Sequence, residues 1–320
     1  MGHMEEVQEF EEPDVQYYIP HHCVFRHESK STPLGVVFNA SALTSTGKSL
    51  NCLQYNRGII QDDLLCIMLR FRKHQFAFVA DIKKIYRMIL VDHSQRDLLR
   101  ILFKTEINDP VKVYKLCTVI YGTRSAPFLA TKTVQQLARD EGRDFPLAST
   151  VLLHDVIYGY MDDIVSGAES LNQGDIQQQL ISLLEKGGME LHKWSANNKF
   201  LLCEETNESS YSFTNETKTL GVLWKPQQGS FGFNVIIDQS EVFTKRTVLS
   251  QIAQIFDPLG LLGPIITRAK VFLQKLWLLK YDWCNALPVK ENSEWHSFLN
   301  SLSAVNSVSQ DGFSVNNFSS

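Results

Sequence analysis

Residues 156–167 read VIYGYMDDIVSG, and their interpretation decides the rest. Two apolar arms flank Asp162-Asp163, the pattern of a β-hairpin with a charged tip. Adjacent carboxylates held against apolar walls are costly unless a cation offsets them. Hard oxygen donors favour Mg²⁺ or Mn²⁺ over zinc. The plainer reading is a solvated turn, where aspartate is common. Asp62-Asp63 serves as an internal control: it precedes the helical spacing of LLCIMLRFR, where capping accounts for it.

A third carboxylate favours the metal. Upstream, the apolar run FAFVA (76–80) predicts a buried strand that ends at Asp81. If that strand lies beside the 156–165 hairpin, Asp81 and Asp162 converge on one pocket. Two ions about 3.5–4 Å apart would then clamp an in-line phosphoryl displacement. One would activate a primer 3′-hydroxyl, and the other would hold the triphosphate and the leaving pyrophosphate.

The pattern around this centre is α+β, with a helical C-terminal part. YYIPHHCVFR (17–26) predicts an edge strand and LGVVF (34–38) another. Residues 125–139 and 176–185 have helical spacing, the latter ending at Gly187-Gly188. Residues 218–224 and 231–237 suggest a second hairpin around 226–229. Beyond 240 the helical stretches are 245–256 and 265–280, and from 301 the chain is rich in serine and asparagine.

Composition excludes several classes. The 320 residues, 44% hydrophobic and 21% charged, describe a folded chain, and length suggests about two domains. Six scattered cysteines form no CxxC pair, which argues against a zinc ribbon or disulfide framework. No uncharged apolar run approaches the ~18–20 residues of a membrane span. The acidic start is unlike a signal peptide, so an intracellular, cytoplasmic setting is expected. The net charge of −4 hides a split: residues 1–14 hold six acids and no base, leaving +2 for the remainder. Residues 70–104 hold nine bases, among them Arg70, Arg72 and Lys73, against three acids. A basic stretch around the Asp81 strand suits the phosphates of a template–primer; a solvated helix face is the plainer account.

The order of blocks now becomes specific. FVADIKKIYRMI (78–89), YGTRSAP (121–127), YMDD (160–163), GMELHKWSANN (188–198) and TLGVLW (219–224) together resemble the palm of a reverse transcriptase. More closely, the chain is similar to the Pao (BEL/Pao) class of long-terminal-repeat retrotransposon polyproteins. YYIPHHCVFR, VVFNASA (36–42), SLN (49–51), TKRTVLSQIAQIFDPLGLLGPI (244–265) and RAKVFLQKLW (268–277) resemble that class in order, over nearly the whole chain.

The resemblance implies a right-hand polymerase: fingers and a palm with a ferredoxin-like antiparallel sheet, then a helical thumb or connection region. The implied boundaries are an acidic flexible leader (1–16), fingers (17–75), palm (76–98), fingers (99–120), palm (121–239), helical region (240–300) and frayed tail (301–320). It implies that Asp81, Asp162 and Asp163 are the catalytic, metal-binding carboxylates for two Mg²⁺ or Mn²⁺ ions. Tyr86 falls at the aromatic gate against a 2′-hydroxyl, with a core aromatic as the plainer reading. Tyr121 and Gly122 match the segment beneath the incoming nucleotide, and Met161 would touch its sugar or the primer end. Lys193 would protonate pyrophosphate, although an exposed loop lysine explains it as well. Leu220, Gly221 and Trp224 match the primer grip; Tyr160, Arg70, Arg72 and Lys73 are placed on the template–primer side.

The implied partners are an RNA and DNA template–primer and deoxynucleoside triphosphates, in the cytoplasm or in virus-like particles. Two positions depart from the pattern: Gly35 stands where the class has a basic residue, and Asn39 where it has aspartate. Losing the basic residue removes a charge-assisted phosphate contact of ~1.5–3 kcal/mol. An inactive copy that only binds nucleic acid or a partner is therefore the rival expectation. The sequence contains no Asp-Ser/Thr-Gly protease motif, and no carboxylate cluster in the C-terminal part suggests a ribonuclease H.

Overall fold

The computed structural model describes residues 2–7, 13–25, 33–55, 63–104, 106–155, 163–168, 175–198, 201, 216–219, 222–233, 235–237 and 240–307. Tyr160, Met161, Asp162, Leu220 and Gly221 lie outside these residues. The chain divides into two units. Met1–Asp62, Ala80–Ile164 and Asp175–His192 make the first; Asp63–Val79, Val165–Gly174 and Lys193–Ser320 make the second.

In the first unit, Met4–Glu6, Lys112–Leu116 and Arg100–Phe103 form an antiparallel sheet in that order. The acidic start, expected to be loose over 1–16, thus supplies a strand. Backbone pairing with Lys112–Leu116 makes it one, and beside that pairing Glu6 meets Lys112 at 2.9 Å and Glu5 meets Arg96 at 3.7 Å. Beneath the sheet, Arg100 donates from Nε and Nη2 to Asp97 Oδ1 (2.8 and 2.6 Å), and Lys115 Nζ stands 3.2 Å from the same oxygen. Tyr17, Ile19, Leu50, Leu99, Ile101, Leu116 and Ile120 close a core on it. His21–Phe25 and Leu34–Phe38 pair antiparallel as a separate hairpin.

The helices follow their apolar spacing. Ala126–Asp140 buries Ala126, Ala130, Thr131, Val134 and Ala138, a face of mostly small side chains, with proline in the first turn. Ile176–Lys186 buries Ile176, Leu180, Leu183 and Leu184. It ends in a Schellman motif at the two glycines. Gly188 takes φ +68, its N–H donates to Glu185 O, and Met189 N–H donates to Leu184 O, both at 2.9 Å.

In the second unit, Leu64–Phe71 is capped by the Asp63 side chain, which accepts from Leu65 N at 3.2 Å. The region read as a hairpin of 218–224 with 231–237 is a three-stranded antiparallel sheet instead: Thr217–Thr219, Val222–Lys225, Ser230–Gly232. Thr219 pairs with Val222, so what looked like one arm is two short strands. Phe71 packs edge-on to Trp224 at 5.1 Å between ring centres. Further along come the helices Lys245–Gln254, Gly263–Leu278 and Val289–Leu302 and a 3₁₀ turn at Ser303–Ser307. The tail boundary expected at 301 falls inside the last helix, because Leu302 and Val305 are buried in the helical core. Among the described residues, no helix is long and apolar enough to cross a membrane.

One more sheet has the order Asp163–Ala168, Phe76–Ile82, Leu191–Ala196, and the division between units passes through all three strands. Two flanking bonds, Lys83 N to Glu190 O (2.9 Å) and Asn197 N to Ala77 O (3.0 Å), run the last two strands antiparallel. Gly167 permits close strand packing, since a Cβ there would lie 2.5 Å from Phe76 O and 2.3 Å from His74 Cβ.

Candidate functional site

Asp81 is the penultimate residue of the central strand of this sheet, and Asp163 is the first residue of the strand hydrogen-bonded beside it. Both carboxylates are half-buried. Asp81 and Asp163 therefore stand on neighbouring, hydrogen-bonded strands. Among the described residues no three His, Cys, Asp or Glu side chains gather as a metal cluster, and Asp162 is outside them.

On the other side of Asp81 stands a residue that sequence reasoning missed. His192 Nδ1 lies 3.9 Å from Asp81 Oδ2, the side chains being 24% and 13% exposed. One register earlier, Lys83 Nζ clamps both oxygens of Glu190 at 2.7 and 2.8 Å. The pairs Asp81–His192 and Lys83–Glu190 are consecutive cross-strand neighbours on one face. The signal was present in the sequence as D-x-K facing E-x-H, and it becomes legible only once the two strands are known to be antiparallel partners.

The aromatic residues separate. Tyr86, on the 3₁₀ helix Ile85–Met88, is 1% exposed, and Tyr121 is 44% exposed. Their rings meet edge-to-face at 4.6 Å. Gly122 takes φ +91, and a Cβ there would stand 2.4 Å from Phe38 O, so only glycine fits. The turn that follows is held by a residue the sequence marked only as a block. Asn51 Nδ2 donates to Gly122 O (3.0 Å), and its Oδ1 accepts from Arg124 N (2.8 Å). SLN and YGTRS are thus two halves of one contact.

The other candidates are dispersed. Lys193 is exposed, with φ +52. Trp224 is 2% exposed, packed on Phe71, so it supports its strand from within and presents no ring to a ligand. Arg70 and Arg72 are half-buried and Lys73 is exposed. Gly35 pairs with Val24 in the hairpin, and Asn39 Oδ1 accepts from Ser41 N at 3.2 Å, closing a local turn.

Solved structures share the overall fold of this chain. A foamy viral protease–reverse transcriptase (dRH) in complex with double-stranded DNA superposes with a TM-score of 0.60 at 12% identity, over 96% of this chain and 45% of that one. A foamy viral protease–reverse transcriptase bound to an RNA/DNA hybrid gives 0.60 at 13% identity, over 96% and 35%. The chain shares their fold. It spans less than half the length of either protein. Residues 244–311 match a family model described as a Pao retrotransposon-like RNaseH-like domain. The regular structure in the described part of that segment is helical, apart from a single bridge between Thr244 and Ala286. None of the curated proteins matches the sequence.

Proposed function

We propose that this chain is the polymerase region of a Pao-type retroelement reverse transcriptase, extending a primer with deoxynucleotides on a nucleic-acid template. The observation that carries the reading is the adjacency of the Asp81 and Asp163 strands, in a fold shared with foamy viral protease–reverse transcriptase. Asp81 and Asp162, supported by Asp163, would hold two Mg²⁺ or Mn²⁺ ions. When bound, these supply charge stabilisation to the attacking hydroxyl and to the leaving pyrophosphate. His192, on the neighbouring strand, and the Lys83–Glu190 pair flank the Asp81 carboxylate.

Tyr121 offers an exposed ring beneath the nucleotide, and Tyr86 holds it from below while limiting room at the sugar. Lys193 and Met161 take the nucleotide side. Leu220 and Gly221, braced by buried Trp224, take the primer side with Tyr160, Arg70, Arg72 and Lys73. The helical region 240–300 acts as the thumb or connection.

Primer extension by the purified full chain with Mg²⁺ tests the reading. Asp81→Asn and Asp162→Asn are each expected to lower incorporation about 10³-fold, the equivalent of ~4 kcal/mol, while circular dichroism stays unchanged. Activity that survives both substitutions sinks the assignment. The rival, a copy that binds nucleic acid without extending it, draws on Gly35, which brings no side-chain cation to the hairpin. Binding of template–primer with no incorporation at any metal would favour that rival.

A further inference from the structure

Immediately after Asp81 the chain carries a group of positive charges that the proposed chemistry does not use. Lys84 takes φ +52, in the left-handed region uncommon for a side chain of its size, and it caps the 3₁₀ helix Ile85–Met88. Arg87 N donates to Lys84 O at 2.8 Å. That bond closes a single turn, with Lys84 at its start and Arg87 at its end. Both are exposed.

A third group joins from the N-terminal strand. Val91 N donates to Cys117 O, and Cys117 N donates to His3 O, each at 2.9 Å. Through Cys117 these bonds tie the His3 segment to the stretch that leaves the 3₁₀ helix. Burial, and then the positive charges of Arg87 and Lys84, hold the His3 imidazole below its ordinary pKa.

Three other cations of this unit are matched. Lys83 has both oxygens of Glu190, Arg96 has Glu5 and Lys112 has Glu6. Among the described residues, Lys84, Arg87 and His3 have no acidic partner. Like charges gathered on one turn repel each other, and an anion placed between them removes that repulsion.

We propose that Lys84, Arg87 and His3 form a phosphate-binding site beside the end of the Asp81 strand. The choice of ligand rests on the polymerase reading: the phosphate belongs either to the template–primer backbone or to the triphosphate of the nucleotide. Arginine supplies a planar fork for two phosphate oxygens and lysine a point charge.

The test uses the full chain and a Lys84→Asn/Arg87→Gln double variant, asparagine being chosen because it tolerates left-handed φ. Fluorescence anisotropy with a labelled duplex oligonucleotide, without nucleotide, is run over a salt series, and the KM for deoxynucleotide is measured separately. If the backbone is the source, the variant binds the duplex about tenfold more weakly, and its log Kd against log salt slope shrinks by about 1 to 2. If the triphosphate is the source, KM rises about tenfold while the slope stays. No change in either arm, with a wild type that binds and extends, overturns the site.

A third arm keeps this result separate from failure of the polymerase reading. Inorganic tripolyphosphate is titrated in metal-free buffer and followed at the His3 imidazole protons, which a His3→Gln variant assigns. A shift at His3 that the double variant loses supports the site even where no oligonucleotide binds. The absence of any shift overturns it.

Discussion

Asp97 shows how one carboxylate can organise a sheet. Its burial alone would push the carboxyl pKa up, but hydrogen bonds from Arg100 and Lys115 outweigh that and hold it below the usual range. Both cations are themselves nearly inaccessible, with side chains 3% and 8% exposed. Asp97→Asn should therefore cost about 3 kcal/mol at pH 7, the lower end for breaking a buried pair. A carboxyl with a depressed folded-state pKa stabilises above its unfolded value near 3.9 and loses that contribution as pH falls through the folded value. The stability gap between wild type and variant, read from urea titrations at several pH values, should be full at pH 6 and narrow below about pH 4. A constant gap would count against this account. At this scale the sequence was uneven. Asp81 was legible because it ends an unbroken apolar run, whereas His192 was not, since a single histidine in a strand acquires meaning only from its cross-strand neighbour.

Among the elements, those with a period of their own were legible and those defined by a distant partner were not. LGVVF was read to the residue as Leu34–Phe38, and the Gly187-Gly188 stop marked its helix because glycine is what the left-handed cap requires. Met4–Glu6 could not be seen, as two glutamates are poor strand formers and the strand exists only against Lys112–Leu116. Its ion pairs are half-exposed and so contribute little; its backbone hydrogen bonds cover a sheet edge. Glu5→Gln/Glu6→Gln should leave the unfolding midpoint nearly unchanged. Removing residues 1–7 should instead uncover the Lys112–Leu116 edge and produce concentration-dependent association in size-exclusion chromatography. A truncated chain that stays monomeric would show that the strand is dispensable.

For the molecule as a whole, the sequence predicted the α+β class and the helical stretch after 240, but not how independent that stretch is. Among the described residues its buried core runs from Val235 to Val305, and Asn306 fastens the two ends by accepting from Val235 N (2.8 Å) and donating to Val235 O (2.9 Å). A fragment of residues 233–307 should accordingly be helical by circular dichroism and unfold cooperatively. Trp295→Ala should abolish that transition. The ring is 1% exposed, stacks on Phe272 and Phe298 and donates to Gln251 Oε1 at 2.8 Å, and its loss costs ~3–5 kcal/mol, most of what so small a unit has. A fragment that is unfolded from the start would place its stability elsewhere in the chain. The turn carrying Tyr121 is the opposite case, since its bonds to Asn51 join positions 71 and 73 residues apart. Closing a loop of that length is slow compared with forming a helix, so this turn should settle late on the folding pathway. Asn51→Ala would then speed unfolding and leave the refolding rate almost untouched, making the floor beneath Tyr121 the last part of the site to assemble and the first to come apart.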